Sequence, residues 1–149
     1  MKSIIRAWLG RLLGLLLCLG GLAGAQDIDQ FANALDLSDK ALTYTGYYGL
    51  AATAETGEPA HAGSPAANSI WFQYKAPSDG VYAFGEWMNG SSARIAIYTG
   101  SEVSALTLVA QGVTRVVFKA QAGVRYHIAL DTVGQDVYFL RSYPNGGAD

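Results

Sequence analysis

The chain has 149 residues, half of them apolar and 15% charged, with a formal net charge of −2. That length suits one domain better than two. The apolar share excludes a disordered chain, which lacks the surface to offset ordering entropy, and the charge gives no basic face for nucleic acid.

The N-terminus carries Lys2, Arg6 and Arg11, then an apolar run from Leu12 to Leu22, then Ala23-Gly24-Ala25. A basic start, a short apolar core and an A-x-A site predict an export signal over residues 1–25, cut after Ala25. A membrane anchor is the alternative, but 11 apolar residues fall short of the roughly 20 a spanning helix needs. A lipid attached at Cys18 is a further alternative. There the preceding residue is the large Leu17, where a small one is expected. After cleavage no membrane insertion is expected. Seven basic residues then face twelve acidic ones, a net charge of −5, and no cysteine remains. The mature chain therefore forms no disulfide and relies on its core. Its roughly 124 residues can bury close to two-thirds of their unfolded surface.

Residues 31–37 read as a turn of helix or an edge strand. Beyond residue 40, short β-rich runs alternate with turn residues, at 42–48, 69–76, 80–87, 93–98, 106–110, 114–120, 124–131 and 137–142. Breakers separate them: Pro77-Ser78-Asp79-Gly80, Asn89-Gly90, Thr99-Gly100, Gln111-Gly112, Ala122-Gly123 and Val133-Gly134. Alternation with period two is clear. Val124, Tyr126, Ile128 and Leu130 share one face, against Arg125, His127, Ala129 and Asp131. Likewise Ile70, Phe72 and Tyr74 oppose Trp71, Gln73 and Lys75, and Ile95 and Ile97 oppose Arg94, Ala96 and Tyr98. One dry and one wet face predict antiparallel sheets packed face to face. Eight runs fit an all-β, jelly-roll-like sandwich of about eight strands. The domain is expected over 26–142, with a solvated tail at 143–149. A long strandless loop at 51–68 reads as functional or packed on itself.

Several stretches, taken in order, resemble the bacterial pre-peptidase C-terminal domain. They are Phe31-Ala-Asn-Ala with Leu37-Ser38, Glu55-Thr-Gly-Glu58-Pro59-Ala-His61-Ala-Gly63, Trp71-Phe72-x-Tyr74-x-Ala76-Pro77, Ile95-Ala-Ile-Tyr98-Thr-Gly100 and Tyr126-x-Ile128-Ala129-x-Asp131. The resemblance spans nearly all of the mature chain. It implies a jelly-roll sandwich in an exported protein, secreted or periplasmic, acting as a non-catalytic accessory module. Some relatives bind calcium. Here Ser91-Ser92-Ala93 and Gln111-Gly112 stand where the family carries its acidic loops, and calcium needs six to eight oxygen ligands, several anionic. No metal and no cofactor is therefore expected.

Glu55, Glu58 and His61 form the richest polar stretch. They can shape the loop, with carboxylates accepting N–H bonds and the imidazole donating, or they can hold a metal or do acid–base work. Pro59 and Gly57 fix turns and favour the first reading, and Gly63 belongs to the same motif loop. His127 shares a strand face with Arg125 and Asp131, as in a surface pair. No G-x-S-x-G, H-E-x-x-H or P-loop occurs, so no catalytic residue is assigned. Asn89-Gly90-Ser91 reads as a hairpin turn. Trp71 alternates with Phe72, so that strand carries large rings on both faces. Either the 51–68 loop covers the outer ring, or Trp71, Trp87 and Tyr82 stack on a partner. The expected function is recognition of a protein, or of a polysaccharide or other envelope component. The alternatives are a calcium-stabilised structural domain and a small hydrolase or enzyme inhibitor.

Overall fold

A computed structural model of the chain describes residues 27–38, 43–48, 52–86, 93–132 and 137–144. The expected leader, Trp87, the Asn89-Gly90-Ser91 turn and the last five residues lie outside them. Two 3-10 turns, Asp27–Asp29 and Phe31–Asn33, come first. Among the described residues nine strands follow: β1 (Leu35–Asp36), β2 (Thr43–Tyr48), β3 (Ser69–Lys75), β4 (Gly80–Glu86), β5 (Arg94–Thr99), β6 (Thr107–Val113), β7 (Arg115–Ala120), β8 (Arg125–Asp131) and β9 (Val137–Pro144). A single 3-10 turn, Val103–Ala105, precedes β6.

The strands form two sheets. One has the order β1-β3-β8-β5-β6 and the other β2-β9-β4-β7. Numbering only the eight longer strands, these orders are 2-7-4-5 and 1-8-3-6, the connectivity of a jelly roll. All their pairings are antiparallel. Only the two-residue β1 runs parallel to its neighbour, with Leu35 opposite Phe72. The protein is an all-β sandwich.

The inner faces interdigitate as the alternation predicts. Ile70, Phe72, Ile95, Ile97, Ile128 and Leu130 of the first sheet pack with Tyr82, Phe84, Val116 and Phe118 of the second, all buried. Each branched or aromatic side chain moved out of water in this way contributes about 1.5–3 kcal/mol. The second sheet keeps a wet outer face where β7 alternates, with Arg115, Val117 and Lys119 exposed.

The first sheet departs from the expectation. Its outer face is also dry: Trp71, Ala96, Tyr98 and Ala129 are buried there with Phe31 as a second apolar cluster. Two polar members of that face are buried too, Asp131 fully and His127 nearly so, while Lys75 and Arg125 stay exposed at its end. Period two distinguishes the faces of a strand, but it does not say what lies on them.

β6 also runs further than its expected end. Gln111-Gly112 continues the strand, with Gly112 opposite Ile95. The glycine is required by a close approach rather than a turn, because a Cβ at Gly112 would collide with the Arg115 carbonyl oxygen. The chain instead passes to the second sheet at Thr114, whose φ is +65°. A β-branched residue is strained in that region, and Thr114 is held there by its N–H donating to the Ala93 carbonyl at 2.8 Å. Asparagine tolerates this conformation better. Thr114→Asn is therefore expected to raise stability by about 1 kcal/mol in chemical denaturation; equal or lower stability would show that no strain resides there.

Candidate functional site

The polar residues singled out in the sequence meet on the outer face of the first sheet, beneath residues 52–68. Two consecutive turns shape this segment. In the first, the Glu58 N–H donates to the Glu55 carbonyl at 3.0 Å, and Gly57 takes a φ of +87°. In the second, His61 and Ser64 exchange both backbone bonds, at 2.8 and 3.0 Å, around Ala62 and Gly63 with φ of +48° and +81°. Positive φ at both central residues is the condition of a tight two-residue hairpin. Pro59 lies between the two turns.

The hairpin carries the His61 ring onto the sheet, fully buried. Its Nδ1 lies 2.9 Å from the Tyr98 hydroxyl and its Nε2 2.8 Å from Glu58 Oε1. The other Glu58 oxygen accepts the Glu55 N–H at 2.7 Å. Glu55 Oε2 in turn accepts the Phe31 N–H at 2.9 Å. Tyr98 reaches back and donates to the Ala60 carbonyl at 3.0 Å. One chain of hydrogen bonds thus joins the N-terminal segment, the loop and β5. Burial, and then the Glu58 charge, push the Tyr98 hydroxyl pKa up to about 12, so the phenol keeps its proton.

A second anchor sits at the loop's end. Asp131 stands opposite Arg94 across the β5–β8 pair and binds its Nη2 at 2.6 Å. Asp131 also accepts the N–H groups of Ala67 and Asn68, at 3.3 and 2.9 Å. These donors compensate a carboxylate that would be costly to bury alone. A third anchor is Asp29, which accepts the Thr53 N–H at 2.6 Å.

Phe31 closes the layer. Its ring packs edge-on against Trp71 at 5.1 Å and lies 4.5 Å from the His127 ring. Trp71 meets His61 at 5.7 Å and Tyr98 at 6.1 Å. The stacking role expected of Trp71 needs correction on this point: the ring is 0% exposed, covered by the loop and the N-terminal segment. Tyr82 is not a surface ring either. It is 7% exposed, lies on the inner face against Tyr74 and Phe118, and its hydroxyl bonds Ser78. His127 is not in a surface pair: Arg125 reaches Asp36 and Gln73 instead.

Glu55, Glu58 and His61 are therefore brought together, whereas His127 lies apart from them, beside Phe31 and opposite Tyr98. Among the described residues, no group of three or more His, Cys, Asp or Glu is placed to hold a metal ion. The sequence reading passed over Phe31, Tyr98 and Asp131 as anchors. The alanines at 96 and 129 were the available signal, because small apolar residues on the polar face of two central strands imply a covering layer.

Two tests follow from this geometry. Phe31→Ala removes the ring that seals the layer and is expected to cost about 3 kcal/mol by chemical denaturation; a loss under about 1 kcal/mol would mean the layer closes without it. Burial, and secondarily the Arg125 charge, lower the His127 pKa, against a backbone bond at Gly100 that raises it. Folded His127 thus stays neutral while the unfolded chain takes up a proton below about pH 6.5, so stability falls as pH drops through that value. His127→Gln should flatten this acid limb between about pH 7 and 5, and an unchanged slope would assign it to other groups. A scan of protein-family models finds no match to this chain, and neither the curated proteins nor the solved structures contain one that matches.

Proposed function

We propose that the protein is an exported, non-catalytic β-sandwich module that recognises a protein partner, as its resemblance to the bacterial pre-peptidase C-terminal domain implies. The observation that carries this reading is the edge strand β6. Among the described residues it ends its sheet, with β5 as its neighbour. Its sequence, Thr-Leu-Val-Ala-Gln-Gly-Val, holds no charge and no proline. Leu108, Val109 and Val113 stand exposed on it, Val113 at 55%. Edge strands are commonly guarded by lysine, proline or a bulge. Here only the bulge is present, where Ile97 and Tyr98 pair with Ala110 and Leu108 and leave Val109 unpaired. An uncharged edge strand suits an added strand from another protein, with main-chain bonds giving affinity. A polysaccharide would call for exposed rings, and Trp71 and Tyr82 are buried. A hydrolytic role for His61 fits poorly with a ring that is sealed from solvent.

The test uses the mature chain, wild type and Val113→Lys, immobilised against envelope and culture fractions. A lysine at this exposed site should leave the melt within about 0.5 kcal/mol of wild type and abolish capture of the proteins that wild type retains. Capture of the same proteins by Val113→Lys would overturn the edge as the binding surface.

A further inference from the structure

We infer that the strand added at β6 is acidic: an extended segment of another protein that sets Asp or Glu side chains against Arg115 and Lys119. This rests on the reading of β6 as the docking edge, and it names the chemistry of what docks there. Among the described residues both sheets end on this side of the sandwich, the first at β6 and the second at β7. The two strands are joined through Thr114 and lie against each other. The corner between them is tight, because the Arg115 carbonyl packs where a side chain at position 112 would stand. Arg115 therefore opens β7 beside the end of β6 that exposes Val113.

The charges carried by the strands on this side have one sign. Strands β5, β6 and β7 hold Arg94, Arg115 and Lys119, and none of the chain's twelve acidic residues. Arg94 is tied to Asp131. Arg115 and Lys119 are exposed and flank Val117 on one face of β7, with Val117 itself 49% exposed. The nearest acids in sequence stand at the far ends. Glu102 precedes the turn that leads into β6, and Asp79 accepts the Ala122 N–H beyond the end of β7. Elsewhere the balance is reversed. Outside these three strands, residues 26–149 hold all twelve acidic residues against Lys40, Lys75, Arg125 and Arg141. An acidic strand is thus steered to one side of a domain that otherwise repels it. The opposite edge lacks the contrast, because β1 carries Asp36, held by Arg125 at 3.1 Å. A second copy of the chain fits less well. Pairing β6 with β6 about a two-fold axis would draw two β7 strands to one side, setting cations against cations.

The experiment titrates the nitrogen-15-labelled mature protein with two end-capped synthetic peptides of alternating threonine and valine. One carries a glutamate at each end, the other a lysine. The acidic peptide should shift the amides of Thr107–Val113 and bind about fivefold or more tightly than the basic one at low salt. Arg115→Glu and Lys119→Glu, both at exposed positions, should each narrow that ratio by about threefold. No binding of the acidic peptide, equal affinity for the two, or a ratio unchanged in both variants overturns the acidic partner and leaves the docking edge standing. Shifts that bypass Thr107–Val113 overturn both. A control peptide keeps the glutamates but has proline at alternate positions, so it lacks the N–H groups of a ladder. It should bind more weakly than the acidic peptide, and equal binding would reduce the interaction to charge and overturn the added strand. The protein alone should sediment as a monomer. A dimer that Val113→Lys dissolves would give the edge to a second copy and overturn the proposal.

Discussion

The structure depends on one constraint: the central strands β3, β8 and β5 of the five-stranded sheet carry apolar side chains on both faces, so something other than the partner sheet must cover their outside. Trp71, Tyr98, Ala96 and Ala129 cannot be left in water at acceptable cost, and among the described residues no α-helix covers them. The chain uses the stretch before β3 and the segment before β2 as a third layer. Irregular backbone makes a poor cover, because its N–H and carbonyl groups must find partners as they are buried. Buried carboxylates meet that need here. Glu55, Glu58 and Asp131 accept backbone N–H groups at 2.7–3.3 Å, and His61 and Arg94 supply the compensating donors.

The functional consequence concerns what is left outside. Of the rings expected to make a stacking platform, Trp71 is used to attach the loop and Tyr82 packs in the core between the sheets, so both are packing features. The open apolar surface lies at the far edge of the same sheet, on β6, and on Val81 and Val117 of the second sheet. β1 closes the β3 edge of the first sheet, while β6 pairs with β5 alone among the described residues. Those two edges differ in chemistry as well. The β3 edge is sealed by β1 and bounded by charged groups such as Arg125 and Asp36, whereas β6 carries none.

Much of the fold was legible in the sequence because sandwich strands alternate with period two. The sets Ile70, Phe72, Tyr74 and Tyr126, Ile128, Leu130 predict the inner faces without any knowledge of the topology. What alternation cannot convey is the occupant of the opposite face. Asp131 and His127 look like solvent-facing residues in one dimension, and become buried anchors only when Ala67, Asn68 and Phe31 come from more than 60 positions away to meet them. Gly112 misleads for a related reason. Glycine marks turns often, yet here it makes room for the backbone of Arg115 within a continuing strand. In the Glu55–His61 stretch the turn residues were readable, but Tyr98 was not, since a tyrosine 37 positions later carries no local sign of its partner.

The covering layer is the central claim, and contacts between protons in solution test it most directly. In the mature protein, nuclear Overhauser effects are expected from the Phe31 ring to the rings of Trp71 and His127, and from His61 to Tyr98, with the Trp71 indole N–H protected from exchange. Absence of those contacts, together with an indole N–H that exchanges as fast as a free one, would mean that the outer face of the sheet stands open and that the loop does not cover it.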